Sequence, residues 1–153
     1  MTVHWPTAEL DPVRQLRVLA ATLPGTAMVE HVLPVAFDDV WAFLSDLEHN
    51  VPAFDTVVRR VRILERDGER LRIRANGIPF DVELRRGWCW MQAPGGLYVV
   101  GMAARSEDED GGSTSTRHGH LEGTLLPGGR ALQPIIRRAV AGDVRGVRRL
   151  LLG

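Results

Sequence analysis

A run of roughly seventy residues in this chain alternates between apolar and polar side chains, and this run constrains the fold more than any other feature. It begins near Val57 and ends near Leu125. A period of two residues is typical of a strand with one buried face, because successive side chains point to opposite sides of a sheet. Turns that contain glycine interrupt the run at short intervals, so the sequence predicts an antiparallel meander.

The clearest part of the run is a hairpin that turns at Asn76-Gly77. Asn-Gly between two alternating segments is typical of a two-residue turn, since both residues accept positive φ angles. Such a turn predicts four facing pairs: Arg72 with Asp81, Arg70 with Glu83, Ile73 with Phe80, and Leu71 with Val82. Opposite charges meet on one face and apolar side chains on the other, so both faces predict the same register.

The turns divide the chain into seven predicted strands. These strands cover residues 27–33, 57–66, 70–75, 78–85, 88–93, 97–105 and 113–125. The acidic run from Glu107 to Asp110 precedes the last strand and is predicted to be a solvated hairpin loop.

Three short helices are predicted before the meander. The first covers residues 11–23, with Asp11 as its N-cap and Pro12 at its first position. The other two follow the first strand, one from about Ala36 and one around residues 47–54. The apolar residues of the second helix recur at helical spacing: Phe37, Val40, Trp41 and Leu44.

The last predicted helix, over residues 131–152, is long and amphipathic. At the usual rise per residue it would extend about 33 Å. Its apolar face carries Leu132, Ile135, Ile136, Ala139, Val140, Val144, Val147, Leu150 and Leu151. The opposite side carries Arg137, Arg138, Arg145, Arg148 and Arg149. A helix of this kind and a curled sheet can bury each other's apolar faces.

Composition argues against several classes of protein. The formal net charge is zero, which does not favour a nucleic-acid-binding surface, and the single cysteine, Cys89, allows no internal disulfide. The N-terminus lacks a signal-peptide pattern, and no apolar stretch reaches the roughly 18 residues of a membrane span. The sequence therefore predicts a cytoplasmic protein without integral membrane association, as a monomer or a homodimer.

Two segments and the order of elements resemble a known superfamily. The segments are VLPVAFDDVWAFLSD at residues 32–46 and VVRRVR at residues 57–62. They resemble the SRPBCC superfamily of helix-grip proteins, which includes START domains and polyketide cyclases. The resemblance implies an α+β helix-grip fold: a curved antiparallel sheet of about seven strands wrapped around the long C-terminal helix, with two short helices after the first strand. Residues 26–153 would form one ligand-binding domain, and residues 1–25 an N-terminal extension with a short helix.

The resemblance also implies a cavity between the sheet and the C-terminal helix for a hydrophobic molecule of the lipid, polyketide or aromatic type. Three functions stay open: a binder or carrier of such a molecule, a cyclase or dehydratase that acts on it, and a protein-interaction module without a ligand. No phosphate loop, dinucleotide fingerprint, nucleophile motif or zinc spacing is present, so no cofactor and no metal are predicted. The cystatin-like alternative places its long helices before the sheet, whereas the dominant helix here is C-terminal.

Asp143 is a candidate catalytic residue because it lies within the apolar face of the last helix. An unpaired carboxylate there would be costly, and burial would raise its pKa towards that of a general acid or base. In the competing interpretation, Gly142 ends one helical segment and Asp143 caps the next.

His118 and His120 are the other catalytic candidates. With Glu122 they alternate along one strand, so the three side chains share a face. His-x-His on a strand can bind a metal, and the segment from Gly112 to His120 imitates the start of a cupin motif. Glu122 follows His120 too closely for that motif, so proton transfer or ligand binding at a cavity rim is the functional prediction, and a polar outer face is the alternative.

Large apolar side chains supply the predicted ligand-binding residues. They are Trp88, Trp90, Tyr98, Met102, Phe80, Ile136 and Val140. Glycines within neighbouring strands, Gly101, Gly119 and Gly123, favour space for a ligand beside them. An ordinary core without a ligand is the other interpretation of the same residues.

Overall fold

The computed structural model describes residues 11–107 and 114–153, so the predicted acidic loop lies largely outside the described residues. The four helices are α1 (Pro12–Thr22), α2 (Phe37–Ser45), α3 (Leu47–Phe54) and α4 (Gln133–Leu152). The seven strands are β1 (Thr26–Leu33), β2 (Val61–Asp67), β3 (Arg70–Ala75), β4 (Ile78–Arg85), β5 (Trp88–Gln92), β6 (Val99–Ser106) and β7 (Thr116–Gly123). Short 3₁₀ turns cover Pro94–Gly96 and Gly129–Leu132.

All seven strands form one antiparallel sheet. Their order is β1-β7-β6-β5-β4-β3-β2, so the two strands separated by α2 and α3 become the two edges. Every pair of neighbouring strands except β1 and β7 is also consecutive along the chain, as a meander requires. This arrangement, closed by the long C-terminal helix, confirms the predicted helix-grip fold.

The predicted hairpin register is confirmed. Asn76 and Gly77 both have positive φ angles, 53° and 79°, as the turn requires. The four predicted pairs face one another: Arg72 and Asp81, Arg70 and Glu83, Ile73 and Phe80, and Leu71 and Val82. Local turn chemistry and the alternating pattern agree at this hairpin, so the register is defined without tertiary information.

The sheet has two covered faces with different partners. The inner face packs against α2, α3 and α4 and contains the larger core, with Leu44, Ile73 and Met102 fully buried. The outer face packs against α1, whose Val13 and Leu16 are fully buried. The predicted N-terminal helix therefore covers a second apolar surface of the same sheet.

Two strand glycines that were interpreted as space for a ligand instead make room for packing on the outer face. A Cβ atom on Gly101 would lie 2.6 Å from Leu16 Cδ1, and one on Gly119 would lie 2.5 Å from Met28 Cε. Leu16 of α1 and Met28 of β1 occupy this space, which corrects that interpretation.

The predicted strand over residues 57–66 begins later, at Val61. Residues 57–60 form a loop that the hairpin tip holds through one side chain. Asn76 Oδ1 accepts hydrogen bonds from the backbone N–H groups of Arg59 and Arg60, and Asn76 Nδ2 donates to the carbonyl of Val57. These bonds take the place of strand pairing over the loop.

The last helix is continuous from Gln133 to Leu152, so the interpretation in which Gly142 ends a segment is wrong. Its buried residues come from its middle and C-terminal half: Val140, Asp143, Val144, Gly146 and Val147. The N-terminal part of the predicted apolar face is open to solvent, with Leu132 49% and Ile135 69% exposed. Among the described residues, no helix is long and apolar enough to cross a membrane.

Candidate functional site

Strand β7 directs its ionisable side chains to one side of the sheet. His118, His120 and Glu122 point to the inner face and are fully buried. Leu121 points to the outer face and packs with the buried residues of α1. The period of two along a strand explains this separation, and the helix-grip arrangement places α4 against the polar side.

His120 is at the centre of a buried cluster. Its Nε2 lies 3.2 Å from Oε1 of Glu122 and 3.3 Å from Oδ2 of Asp143, which reaches it from the middle of α4. The backbone N–H of Thr56 donates to Asp143 Oδ1 at 2.7 Å. Continuous helical backbone through Asp143 therefore brings the carboxylate to the sheet, where it pairs with an imidazole.

Two further residues complete the cluster. The hydroxyl of Tyr98, just before β6, donates to Glu122 Oε2 at 2.9 Å. Asp55 follows α3, and one of its oxygens lies within 4.8 Å of the ligand atoms of His120, Glu122 and Asp143. Asp55 Oδ1 accepts from the backbone N–H groups of Val57 and Val58, both at 2.8 Å.

Burial and mutual charge shift the pKa values within this cluster. Burial alone lowers the pKa of His120, but Asp143 and Glu122 outweigh it and raise this pKa to about 10. Burial raises the pKa of Glu122 to about 8, although His120 opposes the shift. Burial also acts to raise the pKa of Asp143, but the adjacent His120 lowers it overall. These shifts favour a charged imidazole paired with a charged Asp143, beside a Glu122 that keeps its proton to a higher pH than an ordinary glutamate.

A second pair of imidazoles adjoins the cluster. Nε2 of His31 in β1 lies 2.8 Å from Nδ1 of His118 in β7. Burial, then the charge of Arg148, lowers the pKa of His31 to about 4. Burial, then the nearby His31 and His120, lowers the pKa of His118 well below its usual value. The two rings are therefore neutral at pH 7, and the N–H of one ring donates a hydrogen bond to the bare nitrogen of the other.

Several buried polar atoms of this region have no hydrogen-bond partner within the part of the chain that the structure describes. They are Oδ2 of Asp55, Oδ2 of Asp143, Nδ1 of His120 and Nε2 of His118. The contact between Asp143 Oδ2 and His120 is thus ionic, without hydrogen-bond geometry. Unsatisfied buried polar atoms are costly, so these positions favour a further partner.

Two apolar hollows open beside Tyr98 at the edge of the grip. The hairpin pocket, of about 280 Å³, lies between the 57–60 loop and the β3–β4 hairpin and includes Val58, Ile78 and Phe80. The helix pocket, of about 310 Å³, lies beside the start of α4 and includes Leu132 and Ile136. Leu97 and Tyr98 line both pockets.

The structure separates the predicted site residues into four groups, of which the two tryptophans on the outer face are the last. His118, His120 and Asp143 are brought close together in the buried region. Phe80, Tyr98 and Ile136 line the two pockets, while Met102 and Val140 are fully buried and line neither pocket.

Trp88 and Trp90 lie on the outer face, which corrects their predicted place between the sheet and the C-terminal helix. Trp88 is buried with the residues of α1, and its ring stacks on Trp90 at 6.4 Å. Trp90 also borders an outer hollow of about 560 Å³ whose lining includes Arg70, Asp81 and Glu83. Their even positions in β5 place both side chains opposite the face of Cys89 and Met91.

Sequence reasoning did not assign Asp55, Glu122 or His31 to the site. Glu122 had a usable signal, because it shares the face of His118 and His120 along one strand. Asp55 lies in a connection after a short helix, and His31 lies on a different strand. Only the tertiary fold brings these two residues to the site.

Comparison with known proteins gives similarity at the level of structure. No family model matches the chain, and no curated protein matches its sequence. An aromatase/cyclase (Zhui) from a Streptomyces species superposes with a TM-score of 0.60 at 16% identity, over 81% of this chain and 92% of that one.

Two further solved structures have the same architecture. A START superfamily protein from Mycobacterium smegmatis gives a TM-score of 0.51 at 13% identity, over 82% of this chain and 93% of that one. The di-domain aromatase/cyclase BexL gives 0.54 at 17% identity, over 80% of this chain and 46% of its own length. Identities this low show a common fold and leave function to the site itself.

Proposed function

We propose that this chain, which has the helix-grip fold of START-like proteins and aromatase/cyclases, binds a small and mostly apolar molecule beside Tyr98. One observation carries the proposal: Tyr98 lines both apolar pockets, while its hydroxyl is bonded to the buried Glu122. A ligand in either pocket would therefore meet mostly apolar walls and, at Tyr98, a hydroxyl whose position is fixed by its hydrogen bond.

The walls of the two pockets support an apolar ligand. Ile78, Leu97 and Leu132 are 41%, 51% and 49% exposed, so a bound molecule would cover apolar surface that now faces water. Removing such surface from water contributes about 25 cal/mol per Å². Burial of these side chains supplies affinity without selecting a particular ligand.

Tyr98 supports selectivity for a ligand with a hydroxyl or amide group. Its hydroxyl already donates to Glu122, so its oxygen is free to accept a hydrogen bond from the ligand. A net hydrogen bond of this kind contributes about 0.5–1.5 kcal/mol, which is roughly a two- to tenfold difference in affinity.

A matched pair of aromatic probes tests the proposal. 2-Naphthol and naphthalene differ by one hydroxyl, and we expect the wild-type protein to bind 2-naphthol more tightly. Tyr98→Phe should abolish this preference, whereas Trp90→Phe on the outer face should retain it. Native mass spectrometry of the freshly purified protein would identify any natural ligand. If the measured mass is that of the ligand-free chain and neither probe binds, the result would favour the protein-interaction module instead.

A second candidate function is a cyclase or dehydratase that acts on the same class of ligand. It is favoured by the connection from the pockets through Tyr98 to Glu122 and His120, whose shifted pKa values suit proton transfer. Turnover of a flexible polyketone should then be lost in His120→Gln and retained in the surface control His49→Gln. Binding without turnover in the wild-type protein would contradict the enzymatic function and support the carrier function.

A further inference from the structure

Three carboxylates and one imidazole meet in the buried cluster, and they come from three separate parts of the chain. Asp55 follows α3, His120 and Glu122 lie in β7, and Asp143 lies in α4. One ligand atom from each residue lies within 4.8 Å of those of the other three, and all four residues are buried. Three carboxylates exceed what one imidazolium can neutralise, so this interior contains an excess of acidic groups.

The spacing around His120 suits a metal ion. An ion about 2.1 Å from each ligand holds neighbouring ligand atoms about 3.0–3.4 Å apart at octahedral to tetrahedral angles. His120 Nε2 lies 3.2 Å from Glu122 Oε1 and 3.3 Å from Asp143 Oδ2. Both carboxylate oxygens thus already lie at the distance from His120 Nε2 that a shared ion would impose.

Each carboxylate is also oriented by a donor outside the cluster that occupies one of its two oxygens. Asp143 Oδ1 accepts from Thr56 N–H, Asp55 Oδ1 accepts from two backbone N–H groups, and Glu122 Oε2 accepts from Tyr98. The second oxygens of Asp55 and Asp143 accept no hydrogen bond from the described residues, and that of Glu122 faces His120 Nε2. Outer donors that fix one oxygen and leave the other for an ion are characteristic of metal sites in proteins.

The remaining oxygens show where a partner is needed. Oδ2 of Asp55 and Oδ2 of Asp143 are buried and accept no hydrogen bond from the residues that the structure describes. One cation can contact both of these oxygens together. This geometry distinguishes the cluster from an ordinary buried ion pair.

From these observations we propose that Asp55, His120, Glu122 and Asp143 bind one divalent metal ion of the Zn²⁺ or Mn²⁺ class. One imidazole nitrogen and three carboxylate oxygens form a donor set that suits these ions. The ion would lie behind Tyr98 and so beside the two apolar pockets. None of the four residues lines either pocket, so metal binding can be tested separately from binding of the proposed small-molecule ligand.

The test is titration of tag-free protein that has been stripped with a chelator, with Zn²⁺ or Mn²⁺ as the only added ligand. We expect isothermal titration calorimetry to give one ion per chain and thermal unfolding to shift upward. Glu122→Gln and Asp143→Asn should each weaken binding by about tenfold or more, because each removes a carboxyl group that could ligate the ion. Asp38→Asn, at a surface ion pair with Arg86, is the control and should bind like the wild type.

Two outcomes would overturn the proposal. One is a folded, stripped wild-type protein that takes up neither ion at equimolar concentration. The other is a Glu122→Gln/Asp143→Asn double variant that retains wild-type affinity, which would indicate a surface site such as one at His49. Circular dichroism must show that each variant folds. Visible absorption of bound Co²⁺ gives a second measurement, since loss of its ligand-field bands in the double variant reports coordination directly.

Discussion

The hydroxyl of Tyr98 and the carboxylate of Glu122 are joined by a hydrogen bond of 2.9 Å that connects a half-buried aromatic ring to a fully buried acid. The ring lines both pockets, and the acid contacts His120. Any molecule that displaces Tyr98 would therefore disturb the buried cluster, which gives the pockets a direct physical connection to it.

This hydrogen bond predicts that Tyr98 will not ionise near pH 10 while the protein is folded. Burial, followed by the charge and hydrogen bond of Glu122, raises the pKa of its phenol. Because Tyr98 is the single tyrosine, ultraviolet absorbance near 295 nm reports it alone. The folded state favours the protonated phenol, so stability is present below pH 10 and is lost as the pH rises above that value.

The control for this titration is the same protein in concentrated urea, where phenolate should form near the ordinary pKa of about 10. Phenolate absorbance at that pH without loss of circular dichroism would contradict the hydrogen bond to Glu122.

We predict that His31 and His49 will titrate on opposite sides of the ordinary histidine pKa. Burial and Arg148 lower the pKa of His31 to about 4, whereas the hydrogen bond to Asp46 raises that of the exposed His49. The stability contributed by neutral His31 should be present above pH 6.5 and lost as the pH falls from 6.5 towards 4. NMR titration of the ring Cε1–H signals, assigned with His31→Gln and His49→Gln, measures both. A His31 midpoint near 6.5 would contradict the observed burial of this ring.

Two glycines of α4 should respond differently to alanine. Both substitutions raise helix propensity by up to about 1 kcal/mol. A Cβ on Gly146 would lie 3.0 Å from the carbonyl oxygen of Phe54 and 3.1 Å from its Cβ, so α3 would have to move. A Cβ on Gly142 would meet the methyl group of Thr56 at 3.2 Å, and this side chain is exposed and can turn away.

We therefore expect Gly142→Ala to be neutral or stabilising and Gly146→Ala to lower the free energy of unfolding by about 1–3 kcal/mol. Urea denaturation of the two variants beside the wild type measures the difference. Equal effects at the two positions would mean that α3 and α4 are not in close contact at Gly146.

Leu16 should be as important for stability as a residue of the larger core, although it lies near the N-terminus. Its side chain is fully buried between α1 and the outer face of the sheet. Leu16→Ala should lower the free energy of unfolding by about 2–5 kcal/mol, whereas Val18→Ala, at a position that is 49% exposed, should have little effect. Chemical denaturation of both variants tests whether α1 folds together with the sheet, and a single transition is expected. Equal stability of both variants would show that α1 is a dispensable addition.

The fold was predictable because its signals are local. Asn76-Gly77 and the alternating residues on either side determine one hairpin, and each following strand continues the meander. The apolar face of the amphipathic C-terminal helix must be buried, and the apolar face of the sheet can cover it.

The site was predictable only in part. Asp143 was identifiable because a carboxylate on an apolar helix face is exceptional, and His118 and His120 because they alternate along one strand. Their partner Asp55 is in a loop with no pattern of its own. Trp88 and Trp90 were assigned to the cavity because strand periodicity separates two faces without showing which face each helix covers. That choice depends on contacts between residues far apart in the chain.

Strand β7 alone separates the buried polar cluster on the inner face of the sheet from the apolar core on its outer face. A deletion of one residue near the start of β7 would exchange its two faces, which would direct imidazoles and a carboxylate at Leu16 and a leucine at Asp143. Such a shift would place charges in an apolar core and leave Asp143 without its imidazole. The chain is therefore far more sensitive to insertions and deletions within β7 than to most single substitutions there, and homologous chains should preserve the length of this strand even where its residues differ.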